Sequence, residues 1–284
     1  MRGSRHEHEA VLARTLRHGT RALYEDPALY DAFYRRRSRD VRFYVALAAK
    51  HGGPVLELGA GTARVAAAIA SEGIEVVGVE DVPEMLARAR TRLDRLPAAA
   101  RARVTLVHAD LRRIALRRRF PLVIVPFCTL MHFYDTKDVL AALAACRRHL
   151  APGGRLVFDV LMPDPKRLAQ DPGRLYAAGH VVVREHGARY RLREASHYDA
   201  VRQIRTTVFV LDPVRGRGGR GARRAIPVAQ RQFFPAELEL LLRTAGFAIE
   251  HRDGDFEGGP LDDDSESQVV IARAAPRRPT AASR

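Results

Sequence analysis

Only two cysteines, Cys128 and Cys146, occur in the 284 residues. That excludes a disulfide framework and a cysteine-rich metal site, and no metal is expected. No apolar run reaches the length that crosses a bilayer, so no membrane partner is expected. The opening MRGSRHEHEA is basic and polar, without the apolar stretch of a secretory signal; a cytoplasmic location is expected. Lysine is scarce too. Of 48 basic side chains only Lys50, Lys137 and Lys166 are lysines, which leaves 45 arginines and a net charge of +15. The arginines accompany abundant alanine and are spread over 35–42, 88–103, 112–119, 202–224 and the tail. They read as composition and solvated surface, so a nucleic-acid partner stays open but disfavoured.

What is present is a rhythm. The length suits one large domain with an insertion. Residues 6–50 read as helical, with Val11, Leu12, Leu16, Phe43, Val45 and Leu47 at helical spacing and a break at Asp26-Pro27. Short apolar strands then alternate with helices: VLEL at 55–58, a helix at 62–71, a strand at 74–80, and a helix opening at Pro83-Glu84. A strand follows at 103–108 and another at 122–125, then a helix at 137–150 and the strand RLVFDV at 155–160. This alternation predicts an α/β fold, a Rossmann-like seven-stranded, mostly parallel sheet with helices on both faces. After residue 163 the helices vanish. Segments 180–186, 190–199, 203–212 and 225–233 predict an antiparallel β insertion after the fifth strand, with a Gly/Arg turn at 215–224. A helix at 235–245 and strands at 247–252 and 268–273 complete the core.

The domain expectation is an N-terminal helical segment over the ligand site (1–50), a core of 51–163 and 233–273, a β cap of 164–232, and a disordered tail of 274–284.

The chemistry starts at VLELGAGTAR, 55–64, a strand running into a glycine loop. A phosphate loop requires Gly-Lys-Ser/Thr, which Arg64-Val65 does not supply. A dinucleotide loop places a third glycine where Arg64 stands. Glu57 would repel a pyrophosphate but suits an ammonium, and Glu80-Asp81 ends the second strand about twenty residues on, where an acid binds ribose hydroxyls. An amino acid joined to a nucleoside fits both, and S-adenosylmethionine (SAM) is such a molecule.

Over residues 25–273 the chain resembles the class I SAM-dependent methyltransferases. ELGAGTAR and VVGVEDVPEMLARAR are similar to the family's first two motifs. HADL (108–111), FPLVIVPFCTLMHF (120–133) and LAPGGRLVFDV (150–160) follow in order. The resemblance implies that Gly59, Ala60 and Gly61 approach the methionine part, with Glu57 and Arg64 beside them. It implies that Glu80 and Asp81 serve the ribose, that Met85 lies against the adenine, and that Asp110 and Leu111 read the adenine edge. Phe127, after the fourth strand, joins this set. Tyr30 and Tyr34 resemble the tyrosines that lie over SAM in members acting on amines and amino sugars; at i and i+4 they also suit simple packing. Family members commonly have glycine where Ala63 stands.

His132, just past the fourth strand, is the candidate base or orienting group, with a helix-start or core histidine as its alternative. PFCT (126–129) lacks the Asn/Asp-Pro-Pro-Tyr/Phe signature of base N-methylation. The expected activity is methyl transfer by in-line displacement from SAM, leaving S-adenosylhomocysteine, to N or O of a small metabolite or natural product. The alternatives are RNA or protein methylation and non-catalytic SAM binding. A homodimer through the β insertion is a further expectation.

Overall fold

The computed structural model describes residues 21–214 and 221–276. The expectations for 6–20, for 215–220 of the Gly/Arg turn and for 277–284 of the tail lie outside the described residues.

Seven strands form one sheet: β1 (Val55–Leu58), β2 (Val76–Glu80), β3 (Val104–His108), β4 (Phe120–Val125), β5 (Leu150–Leu161), β10 (Phe247–Asp253) and β11 (Ser267–Ala274). Their order is β10-β11-β5-β4-β1-β2-β3. The pairs β1/β2, β1/β4, β2/β3 and β4/β5 are parallel, and β11 runs antiparallel to both its neighbours. The fold class is therefore as the alternation predicts.

The apolar runs split by register. Leu122, Ile124 and Val157 face one helical layer together with Tyr44, Ala66 and Ile69. Val123, Val125, Leu156 and Phe158 face the other with Leu143 and Leu242. The first layer is α3 (Arg39–His51), α4 (Arg64–Ser71) and α5 (Pro83–Leu93), with α6 (Ala98–Arg101) a short turn before β3. The second is α7 (Thr136–His149) and α9 (Pro235–Thr244), while α8 (Pro165–Leu168) lies between β5 and the cap. The central strands are buried on both sides, which is why β1, β2 and β4 are continuous apolar runs, while the edge strands β3 and β10 are half-buried. β5 begins at Leu150, earlier than RLVFDV, because Leu150 already pairs with Phe120 before a register shift.

The segment after β5 builds a separate four-stranded antiparallel sheet. Its strands β6 (Tyr176–Val183), β7 (Ala188–Asp199), β8 (Ile204–Pro213) and β9 (Arg224–Arg231) pair in sequence order. The N-terminal stretch breaks at Asp26-Pro27 as expected, and again at 34–38. It gives α1 (Arg21–Tyr24) and α2 (Pro27–Phe33) ahead of α3. Asp26 caps α2 by accepting from Leu29 N at 3.1 Å, with Pro27 in the first turn.

Leu23, Leu29 and Tyr30 of these helices, Met85 of α5 and Val181, Leu211 and Val228 of the cap make a third core. Ion pairs reinforce it. Asp31 meets Arg88 at 2.7 Å and Arg92 at 2.9 Å, Arg88 also meets Glu185 at the β6–β7 turn at 2.7 Å, and Asp26 meets Arg224 at 2.6 Å. The N-terminal helices are thereby wedged between α5 and the cap, over the carboxyl edge of the sheet.

Candidate active site

Parallel strands bring the loops after β1, β2, β3 and β4 to one edge, and the order reverses between β1 and β4, where ligands of such sheets bind. A cavity of about 450 Å³ opens there. Gly59 and Gly61 form its floor, Glu80, Asp81 and Met85 one wall, Asp110 and Leu111 the next, and Phe127, Thr129 and His132 the third. Tyr24 and Tyr30 roof it.

The glycine loop is shaped by its neighbours. Gly59 has φ +76°, and a Cβ there would come within 2.5 Å of Thr129. Only glycine allows that approach. The amides of Gly59 and Ala60 both donate to the Val79 carbonyl at 2.9 Å, and that of Gly61 donates to Glu80 at 2.8 Å. These three N–H groups are therefore engaged within the protein and do not form an anion cradle, which disfavours a pyrophosphate. Ala63 stands in the left-handed region (φ 56°) and is fully buried. The conformational cost and the gain from burying its methyl are each about 1 kcal/mol, so they offset.

Glu80 also accepts from the amides of Asp81 and Val82 at 3.0 Å. Burial pushes its carboxyl up despite these bonds. Glu57 lies beneath the loop, 2 % exposed, with Oε2 lacking a hydrogen-bond partner. Burial pushes it up to about 8. Asp110 is gripped by Arg112, which bridges on to Asp138 at 2.7 Å. The Arg112 hydrogen bonds hold Asp110 below the usual range.

Ten of the residues singled out in the sequence line this cavity: Tyr30, Gly59, Gly61, Glu80, Asp81, Met85, Asp110, Leu111, Phe127 and His132. Tyr34, Glu57, Ala60 and Arg64 do not. Tyr34 packs edge-on against Phe127 (4.6 Å) and Tyr30 (4.9 Å). Arg64 pairs with Asp40, its Nη1 3.0 Å from Oδ1, and lies 5.2 Å from the Phe127 ring. His132 Nε2 is 2.7 Å from the Tyr24 hydroxyl. Burial pushes the imidazole down to about 4 and the Tyr24 phenol well up. At neutral pH the pair is thus a neutral phenol and a neutral imidazole sharing one hydrogen bond.

Tyr24 and Asp159 are absent from the residues expected above. Asp159, in β5, is 3 % exposed. It accepts from the amides of Phe127 (2.7 Å) and Cys128 (3.2 Å) and from the Tyr44 hydroxyl (2.7 Å). Phe127 and Cys128 are consecutive left-handed residues (φ 60° and 61°), a costly arrangement for side chains with a Cβ. A lone carboxylate inside the apolar run LVFDV is the one signal that marked it.

With this geometry in view, comparison with known proteins gives the class. Residues 55–154 match the methyltransferase-domain family. The dTDP-3-amino-3,4,6-trideoxy-alpha-D-glucopyranose N,N-dimethyltransferase of Streptomyces venezuelae is 26% identical over 240 residues, 82% of this chain and 92% of that protein. The CcbJ methyltransferase from Streptomyces caelestis has a TM-score of 0.70 at 28% identity, over 84% of this chain and 91% of its own. The glycopeptide N-methyltransferase MtfA, solved with SAM, shares the fold with a TM-score of 0.59 at 23% identity, over 86% and 91%. Residues 55–154 are a methyltransferase domain, the enzyme is a SAM-dependent methyltransferase, and SAM is its cofactor.

The residues fit that molecule. The cavity is acidic, with Glu80, Asp81, Asp110, Asp135 and Asp138 set against Arg21 and Arg112, as a sulfonium cation favours. The orphaned oxygen of Glu57 suits an ammonium group nearby.

Two outcomes are expected. Asp159→Ala strands two amides and a phenol, each worth about 1–3 kcal/mol when buried and unpaired. It should lower kcat at least tenfold in enzyme assayed well below its Tm, with Asp159→Asn intermediate; equal kcat in all three would show that the turn does not depend on this carboxylate.

The second concerns pH. Between about 4.5 and about 8 the folded, ligand-free protein retains a proton on Glu57 that the unfolded chain has lost. Stability should therefore fall as pH rises through that window. A cation bound above Glu57 favours the charged carboxylate, so SAM affinity should rise with pH by up to about tenfold per unit. Glu57→Gln should reduce the slope of both profiles, leaving the part that Glu80 contributes, read by thermal unfolding with and without SAM.

Proposed function

We propose that the enzyme methylates an amine nitrogen of a small metabolite or natural product. The observation that carries this reading is the Tyr24–His132 pair at the cavity roof. When bound, SAM supplies an activated methyl and departs as S-adenosylhomocysteine. The chain's own part is to bind, orient and exclude water. A neutral amine needs no strong base, and an imidazole held near 4 is not one. His132 Nε2, released from Tyr24, accepts a hydrogen bond from the acceptor's N–H and fixes its lone pair. The acidic wall draws a cationic amine to the same place, and the amine reacts in its neutral form after releasing a proton to solvent. The names of two relatives, an amino-sugar N,N-dimethyltransferase and a glycopeptide N-methyltransferase, support the same chemistry.

The cofactor residues take the roles set out above. Glu80 serves the ribose with Asp81 beside it, Met85 and Leu111 flank the adenine, and Asp110 reads its amino group from within the Arg112 pair. Gly59, Ala60 and Gly61 approach the methionine part over Glu57. Tyr30 and Phe127 close over it, with Tyr34 and Arg64 packed behind them. The N-terminal helices cover SAM, and the cap, 164–232, shapes the acceptor pocket. Leu175, Val182, Val201 and Val214 are large apolar side chains exposed on the cap. They support a homodimer paired through it, working in the cytoplasm.

Glu80→Ala should weaken SAM binding more than tenfold, about 1.4 kcal/mol; unchanged affinity by calorimetry would remove the ribose role. His132→Ala should lower turnover while leaving SAM affinity within about twofold, and wild-type turnover would make it structural. Methyl-labelled SAM incubated with cell extract should mark the metabolite fraction. Label in RNA or protein would overturn the small-molecule reading, and no label beyond background would favour SAM binding without turnover.

A further inference from the structure

The amino edge of the sheet, at the opposite end of the strands from the catalytic cavity, holds a second concavity of about 810 Å³. Five arginines line it: Arg119 before β4, Arg147 and Arg148 at the end of α7, Arg155 in β5 and Arg273 in β11. No acidic side chain does. Glu250 serves Arg155 (2.9 and 3.1 Å) and Arg273 (3.5 Å). Arg119, Arg147 and Arg148 make no ion pair among the described residues; they donate to the carbonyls of Leu150, Ala275 and Ile114. Arg147 Nε is buried without a hydrogen-bond partner, and its guanidinium is pressed against Gly246, where a Cβ would come within 2.9 Å of Cζ.

Single exposed arginines such as Arg90 and Arg184 also lack an ion pair among the described residues; what is particular here is that five guanidinia surround one concavity with no carboxylate in its lining. Elsewhere Arg64, Arg88, Arg112, Arg118 and Arg231 all meet carboxylates at 2.7 Å or less. The carboxyl end of α7 favours a cation or two. Glu250 answers the guanidinia from β5 and β11, but neither the helix end nor Glu250 accounts for Arg119, which arrives from the segment before β4. Arg147 is the one of the five that is both partly buried and without a carboxylate, and such a cation is costly unless an anion completes it.

We propose that this cleft binds a small phosphate-bearing anion, with the guanidinia gripping a di- or triphosphate group. Arginine's planar fork matches phosphate oxygens in pairs, and several guanidinia around one concavity suit a multiply charged group. The remaining wall is Ala144, Leu150, Ala151, Pro152 and Ala245. No aromatic ring is present to stack a base, as single-stranded nucleic acid requires, so the recognised chemistry is the phosphate chain itself. The cleft shares no lining residue with the catalytic cavity, so occupancy does not compete with SAM.

The test uses inorganic tripolyphosphate and the full-length enzyme at fixed ionic strength, followed by calorimetry. Wild type should show one saturable site and a raised Tm, with SAM affinity unchanged. Arg119→Glu/Arg148→Glu reverses two exposed charges and should weaken tripolyphosphate at least tenfold. Arg184→Glu/Arg191→Glu, the same charge change on exposed cap positions, should leave it within about twofold. The proposal is overturned by the absence of saturable binding, by equal loss in the cap variant, or by displacement of tripolyphosphate with SAM. An unstructured RNA that binds this cleft more tightly, and weakens steeply with salt, would replace the small anion by nucleic acid.

Discussion

A buried carboxylate fixes where the chemistry takes place. Asp159 lies within the apolar part of β5, takes the Tyr44 hydroxyl from α3, and holds the amides of Phe127 and Cys128 after β4. Two successive left-handed residues are costly, and the carboxylate is what offsets that cost. The turn it stabilises sends Thr129 against Gly59 and starts the short helical turn that carries His132. One buried oxygen pair thus sets the spacing between the glycine loop and the roof, and it couples the helix layer to both. Burial raises Asp159 itself, so the arrangement rests on hydrogen bonds strong enough to keep a costly charge inside.

The cavity built on that turn is electrostatically unfinished by design of its residues. Glu57 and Glu80 are both pushed up by burial; Glu80 accepts three amides, whereas Glu57 Oε2 has no hydrogen-bond partner. A cation relieves both carboxylates and an anion worsens both. The same field that retains a sulfonium also favours an amine over a phosphorylated or carboxylated acceptor. On the proposed reading, substrate preference and cofactor binding have one physical source.

Much of this was legible from local pattern. The seven core strands and the switch from alternating α/β to consecutive strands follow from periodicity, and Asp26-Pro27 marks a real helix boundary. The glycine loop, Glu80 and Asp110 were legible as a set, because their spacing along successive strand ends is set by the fold. The pairings were not. Tyr24 meets His132 across 108 residues, and Asp159 meets Tyr44 across 115; no short-range periodicity encodes such contacts. Arg64 was placed beside the ligand by its position in the motif. Its ion pair with Asp40, in the first turn of a helix that the motif does not include, was not legible there. The start of β5 moved for a similar reason, since pairing with β4 rather than composition decides where that strand begins.

The arginines that composition alone made look like background acquire a direction in the fold. α4 and α5 begin at the carboxyl edge, so their positive ends face the acidic cavity, while α7 ends at the amino edge among arginines. Each set of side chains opposes the partial charge of the helix ends it meets. Such compensation takes only a charge or so per helix end. The acidic wall exceeds it at one edge and five guanidinia exceed it at the other. The first excess is answered by a cofactor that is itself a cation. An excess of positive charge partly sheltered from water asks for an anion on the same grounds, and the helix end beneath it explains why several arginines are needed to hold one.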